Sequence, residues 1–140
     1  DGEIALVKEQ QPHWDKPGFT LVAGMVNPDE DLDVAARREL EEETGLIFER
    51  YHLVHIETTT PAVEWFTYTF VATGYTGTKE KKLDAGEKNE VVKVSLDKLI
   101  DMTRNRELFY RPRFIEDMIM QNKTGELREL IKDPSRYSME

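Results

Sequence analysis

Three glutamates stand close together in one helix-forming stretch, at spacings that suit metal chemistry. Residues 32–43 are rich in strong helix formers, and Gly45 is placed to end a helix. On a helical wheel at about 100° per residue, Glu39 and Glu43 fall within the apolar stripe and Glu42 falls at its edge. The pattern therefore predicts two carboxylates on the inward face of this helix.

Carboxylates on an inward face need a compensating positive charge. Burying an unpaired carboxylate is costly, and two adjacent carboxylates oppose each other's ionisation. An arginine or a metal ion would supply the missing charge. The alternative is a solvated face with intrahelical ion pairs, such as Arg38 with Glu42. The same wheel places Leu32, Ala36 and Leu40 on the apolar stripe and directs Arg37 and Glu41 to solvent.

The chain offers only oxygen donors for a metal at this place. It contains no cysteine, and its histidines stand far from the glutamates in sequence. Oxygen donors suit Mg²⁺ or Mn²⁺ rather than zinc. The chemistry predicted is metal-assisted hydrolysis or phosphoryl transfer.

Size and charge limit the functions that are open to the chain. Its 140 residues and 16.3 kDa suit one domain over residues 1–140, and 39% apolar residues are enough for a core. A net charge of −9 would repel nucleic-acid backbones and anionic lipids, so neither nucleic acid nor a membrane is an expected partner. The sequence shows no apolar run of membrane-spanning length and no basic-then-apolar leader, so a cytoplasmic location is the default expectation.

Hydrophobic patterning predicts the elements that would position the glutamates. Strands are expected at residues 4–7, 19–23, 51–56, 63–72 and 91–94, and helices at residues 32–43, 96–102, 114–121 and 124–132, with Asp31 and Ser95 as N-caps. Residues 79–89 read as an exposed loop. This order of elements favours an α+β fold with helices packed on a mixed sheet.

The charged residues of the helix belong to a longer pattern that resembles the Nudix box. Gly24 is followed after five residues by Glu30, and then at the family's spacing by Arg38-Glu39-Leu40, Glu42-Glu43 and Gly45-Leu46. Every defined position of the box is filled. The resemblance implies the α/β/α sandwich of Nudix hydrolases over nearly the whole chain, and hydrolysis of a nucleoside diphosphate linked to another group.

The resemblance also implies a role for each box residue. Glu39 and Glu43 would be the principal ligands of Mg²⁺ or Mn²⁺, with Glu42 a further ligand directly or through water. The carbonyl of Ala23 would coordinate as well, and Gly24 would let the backbone approach the metal and the substrate phosphates. Arg38 would orient the glutamates, and Glu30 would brace the loop before the helix; a surface ion pair between these two is the alternative.

The catalytic base comes from different places in different Nudix enzymes. In the ADP-ribose pyrophosphatase-like branch, acidic groups come from a mobile loop before a late strand, and Glu87-Lys88-Asn89-Glu90 lies in the corresponding loop here. Glu90 is the first candidate for a metal-proximal acid and Glu87 the second, with ordinary loop solvation as the alternative for both. This loop is expected to be mobile and to close over the phosphates.

Three features concern the substrate. The sequence Val22-Ala23-Gly24-Met25, and Pro61 at fifteen residues after Leu46, resemble the ADP-ribose branch, which predicts ADP-ribose or a nucleotide sugar as substrate. The N-terminal region and the arginine that are typical of that branch are not seen, because the chain begins at Asp1 and has Glu9-Gln10-Gln11 at the arginine's place. The alternatives are a house-cleaning nucleoside triphosphate pyrophosphohydrolase and a non-catalytic nucleotide sensor, and a homodimer is left open.

Overall fold

The computed structural model describes residues 2–60, 63–86 and 88–139. Its elements follow in the order β1 (Glu3–Gln10), β2 (Gly18–Thr20), α1 (Leu32–Thr44), β3 (Leu46–Thr60), β4 (Val63–Thr78), β5 (Lys88–Ser95), α2 (Leu96–Arg104), β6 (Leu108–Tyr110), α3 (Arg113–Met120), α4 (Thr124–Lys132) and a 3-10 turn at Pro134–Tyr137.

Strand β1 lies inside a mixed sheet with the strand order β5-β1-β2-β6. It pairs antiparallel with β2 and with β5, whereas β2 pairs parallel with β6. Strands β3 and β4 pair with each other along most of their length as a separate antiparallel hairpin. The predicted α+β class with a mixed sheet is confirmed.

The apolar core lies on one face of the mixed sheet. Leu6 of β1 packs there with buried residues of α2, α3 and α4, among them Leu99, Ile119 and Leu127. The next residue, Val7, is 1% exposed although its side chain points to the other face, because side chains alternate along a strand. Strand β1 is thus covered on both faces, as a central strand should be.

The predicted elements are present, but the strands differ in extent and the short strand β6 was not predicted. Strand β2 ends at Thr20 instead of at residue 23, because the chain then leaves β1 and brings Gly24 against the side chain of Glu39 on α1. The strands of the hairpin are longer than predicted, because each supplies the other's hydrogen-bond partners even where polar residues interrupt the apolar pattern. Within the described residues, no helix is both long and apolar enough to cross a membrane.

The prediction that Arg37 and Glu41 point to solvent is wrong. Arg37 donates hydrogen bonds to the carbonyls of Phe48 and Glu49 in β3, at 2.6 and 3.3 Å. Glu41 forms a 2.8 Å ion pair with Lys79, at the end of the hairpin. The wheel assumed one buried face, whereas the hairpin covers a second side of α1.

The core of α3 provides a stability test. Ile119 is fully buried and its neighbour Met120 is 55% exposed. We expect Ile119→Ala to lower the free energy of unfolding by about 2–5 kcal/mol, because it removes buried methyl groups and leaves a cavity. Met120→Ala, in the same turn of helix, should change it by less than about 0.5 kcal/mol. Urea denaturation followed by circular dichroism measures both, and equal losses would contradict this description of the core.

Candidate functional site

Arg38 is the centre of a hydrogen-bond network that joins the loop before α1 to the glutamates on α1. Its Nε and Nη2 atoms donate to the two carboxylate oxygens of Glu30, at 2.8 and 2.9 Å. Its Nη1 donates to Glu39 Oε1 at 2.9 Å and lies 3.5 Å from Glu42 Oε2, and Nη2 also donates to the carbonyl of Met25 at 2.8 Å. One planar guanidinium therefore sets the positions of three carboxylates.

Glu30 holds the loop from its other side. Its Oε1 accepts a 3.0 Å hydrogen bond from the backbone N–H of Asn27. The hydrogen bonds from Arg38, together with the one from Asn27, lower the pKa of Glu30 from 4.5 to about 2. The hydrogen bond with Glu30 is also the main reason that the pKa of Arg38 is raised above its ordinary value. At neutral pH both groups are therefore charged, and the loop is tied to α1 by an ion pair.

Gly24 lies directly against the carboxylate of Glu39. A Cβ atom built at position 24 would collide with Cδ, Cγ and Oε2 of Glu39. Ala23, which precedes it, is exposed. Only glycine lets the backbone pass this close to the carboxylate.

The glutamates of α1 open onto a cleft between the helix and the sheet. The cleft has a volume of about 200 Å³ and is lined by Glu9, Glu39, Glu42, Glu43, Lys82, Leu83, Asp84 and Asn89. Glu9 comes from β1 and Asn89 from β5, where the two residues stand opposite each other in the ladder. The cleft thus joins α1, the sheet and the segment before β5, and most of its charged groups are carboxylates.

The segment before β5 is tied to the carboxyl end of α1. Helix ends leave carbonyls without partners in the helix, and here the backbone N–H of Lys82 bonds the carbonyl of Glu42 at 2.8 Å. The Asn89 side chain bonds the carbonyl of Glu43 at 2.7 Å, and Lys81 Nζ bonds Asn89 Oδ1 at 2.7 Å. The loop at residues 79–89 was expected to be mobile as a whole, but these bonds attach both of its ends to α1 and confine any closure to the stretch between them.

The structure does not bring Glu90 into the cleft. Glu90 pairs with Lys8 of β1, and its neighbour Asn89 is the residue that faces α1. Since side chains alternate along a strand, Glu90 points to the opposite face of the sheet. Glu87 and Pro61, the other candidates for base and substrate binding, lie outside the described residues.

Sequence reasoning missed Glu9. It stands two residues after Val7, which is buried on the face opposite Leu6, so the two share a face of β1. That spacing was available in the sequence. What the sequence did not say is which face of β1 would meet α1.

The box residues suit a divalent cation by donor chemistry and by location. The three glutamates of α1 offer carboxylate oxygens at one cleft, and Gly24 lets the backbone lie directly against one of them. As they stand in the described part of the chain, no three acidic or histidine side chains converge closely enough to enclose an ion. Binding would therefore have to draw these side chains together, against the present contacts of Glu39 and Glu42 with Arg38.

The ion pair of Glu30 predicts a pH dependence of stability. Because the folded-state pKa is lowered from 4.5 to about 2, the pair stabilises the fold above pH 4.5 and this contribution is lost as the pH falls toward 2. We expect Glu30→Gln to lower the melting temperature at neutral pH, and the difference from the wild type to shrink between pH 4.5 and 2.

Glu49→Gln is the control for that comparison. Glu49 pairs with Arg50 at 3.1 Å on the surface, where such pairs contribute little, so its melting temperature should stay near that of the wild type at neutral pH. If the difference in melting temperature between Glu30→Gln and the wild type stays constant from neutral pH down to pH 2, the lowered pKa of Glu30 is contradicted.

Comparison with known proteins gives a relative and several structures of similar fold. The protein named ADP-ribose pyrophosphatase from Bacillus subtilis (strain 168) is 28% identical over 111 residues, which are 78% of this chain and 60% of that protein. The chain therefore spans less than two thirds of that relative's length.

Among solved structures, one described as an ADP compounds hydrolase superposes with a TM-score of 0.71 at 17% identity, over 91% of this chain and 69% of the other. A Nudix hydrolase from Nitrosomonas europaea gives a TM-score of 0.60 at 24% identity, over 89% of this chain and 82% of the other. A MutT Nudix hydrolase from Burkholderia pseudomallei gives a TM-score of 0.56 at 21% identity, over 86% of this chain and 88% of the other. At these identities the likeness shows a shared fold.

The family model described as the NUDIX domain matches residues 1–117, which include every residue of the box and the strands that carry Glu9 and Asn89. The match agrees with the residues that first suggested the resemblance. The chain belongs to the Nudix family.

Proposed function

We propose that this chain hydrolyses the diphosphate linkage of ADP-ribose or of a related nucleoside diphosphate sugar, with Mg²⁺ or Mn²⁺ as cofactor. The observation that carries the proposal is the arrangement of Glu39, Glu42 and Glu43 around one cleft, with Arg38 and Glu30 behind two of them. A complete set of glutamates favours an enzyme over a non-catalytic sensor.

The residues of the cleft would have different roles in this reaction. Glu39 and Glu43 would hold the metal, with Glu42 and the carbonyl of Ala23 as further ligands. When bound, the divalent ions neutralise negative charge on the diphosphate and lower the pKa of a bound water. Gly24 lets the backbone lie directly against the Glu39 carboxylate, since a side chain there would collide with it.

Arg38 and Glu30 act as positioning residues in this proposal. Arg38 holds Glu39 Oε1 at 2.9 Å, which leaves the other carboxylate oxygen to face the cleft or Gly24. Glu30 fixes the plane of the guanidinium through two bonds, so that the side chain of Arg38 cannot rotate away from α1.

Glu9 is the best-placed candidate for the general base. It lines the same cleft as the glutamates of α1 and comes from a different element, so it faces the diphosphate from the sheet side. Its Oε1 accepts a 2.7 Å hydrogen bond from Gln11, which orients the carboxylate. Glu90 remains the second candidate and would need β5 to rearrange; Glu87 is the third.

The substrate class rests on likeness as well as on the residues. The Bacillus subtilis relative is named an ADP-ribose pyrophosphatase, and one structure of similar fold is described as an ADP compounds hydrolase. The sequence Val22–Met25 and Pro61 favour the same branch. The fold is shared with a MutT-type hydrolase too, which keeps nucleoside triphosphates as the alternative substrates.

The assay that tests the function compares substrates at equal Mg²⁺. ADP-ribose and a UDP- or GDP-sugar are set against dGTP and 8-oxo-dGTP, and specificity constants are measured for each. We expect the diphosphate compounds to be preferred. A preference of tenfold or more for the triphosphates, about 1.4 kcal/mol in transition-state binding, would favour the house-cleaning alternative.

The metal requirement and the ligands are tested together. We expect excess chelator to abolish turnover of ADP-ribose, and Glu39→Gln and Glu43→Gln each to lower kcat by about a hundredfold or more, because one ligand charge is lost without a change of volume. Glu129→Gln, exposed on α4, is the matched control and should keep full activity. Turnover in chelator, or equal effects in all three variants, would contradict the proposal.

The assignment of the base is tested by a pair of variants from neighbouring strands. Glu9→Gln should lower kcat by about a hundredfold with a small change in KM, since a general base acts in the chemical step. Glu90→Gln, on the other face of the sheet, should stay within about threefold of the wild type. The reverse order of effects would return the role to Glu90.

A further inference from the structure

The acidic cleft is smaller than the substrate it would serve. Its volume is about 200 Å³, whereas pockets that enclose a whole small-molecule ligand measure about 300–1,000 Å³. A diphosphate with its metal ions accounts for the charged lining. The remainder of a nucleoside diphosphate compound must therefore lie outside the cleft.

The sheet continues the cleft as a flat surface next to Glu9. Gly18 of β2 stands directly opposite Glu9 in the antiparallel ladder, and opposite residues present their side chains to the same face. Because Gly18 has no side chain, no side chain of β2 stands between Glu9 and the residues that pack over this position.

Two aromatic residues lie against the position of Gly18. A Cβ atom placed on Gly18 would be 3.6 Å from Cβ of Phe109 in β6 and 3.7 Å from the indole ring of Trp14. The rings of Phe109 and Trp14 are in contact with each other, with centroids 4.7 Å apart and planes tilted by 47°. Since Gly18 faces the cleft side of the sheet, so does this aromatic pair.

The rings of Phe109 and Trp14 offer an outer surface for stacking and no gap into which another ring could insert. Phe109 is 66% exposed, more than any other exposed large hydrophobic side chain in the described part of the chain. A ring inserted between two others needs their planes about 7 Å apart, so the 4.7 Å separation leaves no room for one. A planar ring can therefore stack only on the outer side of the pair.

We infer that Phe109 and Trp14 form a stacking platform for the planar ring of the substrate's nucleoside, reached from the acidic cleft across Gly18. The assignment of the diphosphate to the cleft rests on the proposed function, whereas the stacking surface itself does not. Phe109 lies two strands from Glu9, or about 10 Å at the usual strand spacing, which leaves room for a ribose and a phosphate between them.

The loop that carries Trp14 is held in place by local hydrogen bonds. Gln10 Nε2 donates to the carbonyl of Trp14 at 3.0 Å, and the N–H of Trp14 donates to the carbonyl of Gln11 at 3.1 Å. These bonds hold the backbone of Trp14 in place, which lowers the entropy cost of binding. An apolar contact also suits a protein of net charge −9, which would repel an anionic nucleotide over most of its surface.

The sequence allows Trp14 to report on its own stacking. The chain has two tryptophans, so Trp65→Phe leaves Trp14 as the single indole fluorophore. AMP is titrated into this variant in the presence of Mg²⁺, with ribose 5-phosphate as the matched ligand that has the same phosphate and no base. AMP carries no phosphoanhydride, so no turnover interferes. We expect AMP to quench Trp14 fluorescence and ribose 5-phosphate to leave it unchanged.

The Phe109 side chain is tested in the same background. Phe109→Ala and Phe109→Leu should each weaken AMP binding by about tenfold, since base stacking on an aromatic ring supplies affinity of that order. The leucine variant keeps an apolar side chain of similar size, so it tests the loss of the aromatic ring even if the alanine variant does not fold. Phe66→Ala is the control, because Phe66 is a similarly exposed aromatic residue on the hairpin. It should bind AMP as the parent does.

The outcomes separate the two proposals. Quenching by AMP that depends on Phe109 supports the platform even if ADP-ribose is not hydrolysed, in which case only the proposed function fails. Hydrolysis of ADP-ribose without quenching by millimolar AMP, or with unchanged AMP affinity in both Phe109 variants, overturns the platform and leaves the proposed function standing. Equal quenching by ribose 5-phosphate would also overturn it.

Discussion

The whole site depends on one guanidinium. Arg38 bonds Glu30, Glu39 and the carbonyl of Met25 and approaches Glu42, so the loop before α1 and the acidic face of α1 share a single support. A guanidinium stays charged at every pH that a protein experiences, and its donors lie in one plane. The angles between the carboxylates are therefore fixed by covalent geometry more than by packing, which is useful in a region with few buried apolar side chains.

Two opposing effects act on the cleft, namely repulsion between its carboxylates and hydrogen bonds that hold α1 in place. Four glutamates from α1 and β1 line it, and Lys82 is the cation among its lining residues. Repulsion between the glutamates favours an open cleft that accepts cations, while the hydrogen bonds from Lys82 and Asn89 to the end of α1 keep the helix in place. The fold thus tolerates local charge repulsion where chemistry is expected and compensates for it with backbone hydrogen bonds nearby.

The sequence predicted those parts of the site that are close together along the chain. The box residues lie on one loop and one helix, so the resemblance carried by their spacing was enough to suggest that Arg38 orients the glutamates. The sequence could not place Glu9 at the cleft, because its position there depends on which face of β1 meets α1. Strand alternation likewise decides that Asn89, and not Glu90, lines the cleft. The contacts of Arg37 and Glu41 were missed because a wheel describes one helix and contains nothing about the hairpin.

The bonds between α1 and the segment before β5 impose an order on assembly. Asn89, which bonds the Glu43 carbonyl, stands 46 residues further along the chain, with the whole β3–β4 hairpin between them. Closing so long a loop costs conformational entropy and is slow compared with forming a helix turn. Every glutamate of α1 emerges from the ribosome well before the strand that completes the cleft, so a nascent chain carries the family's signature residues for some time without yet possessing a site.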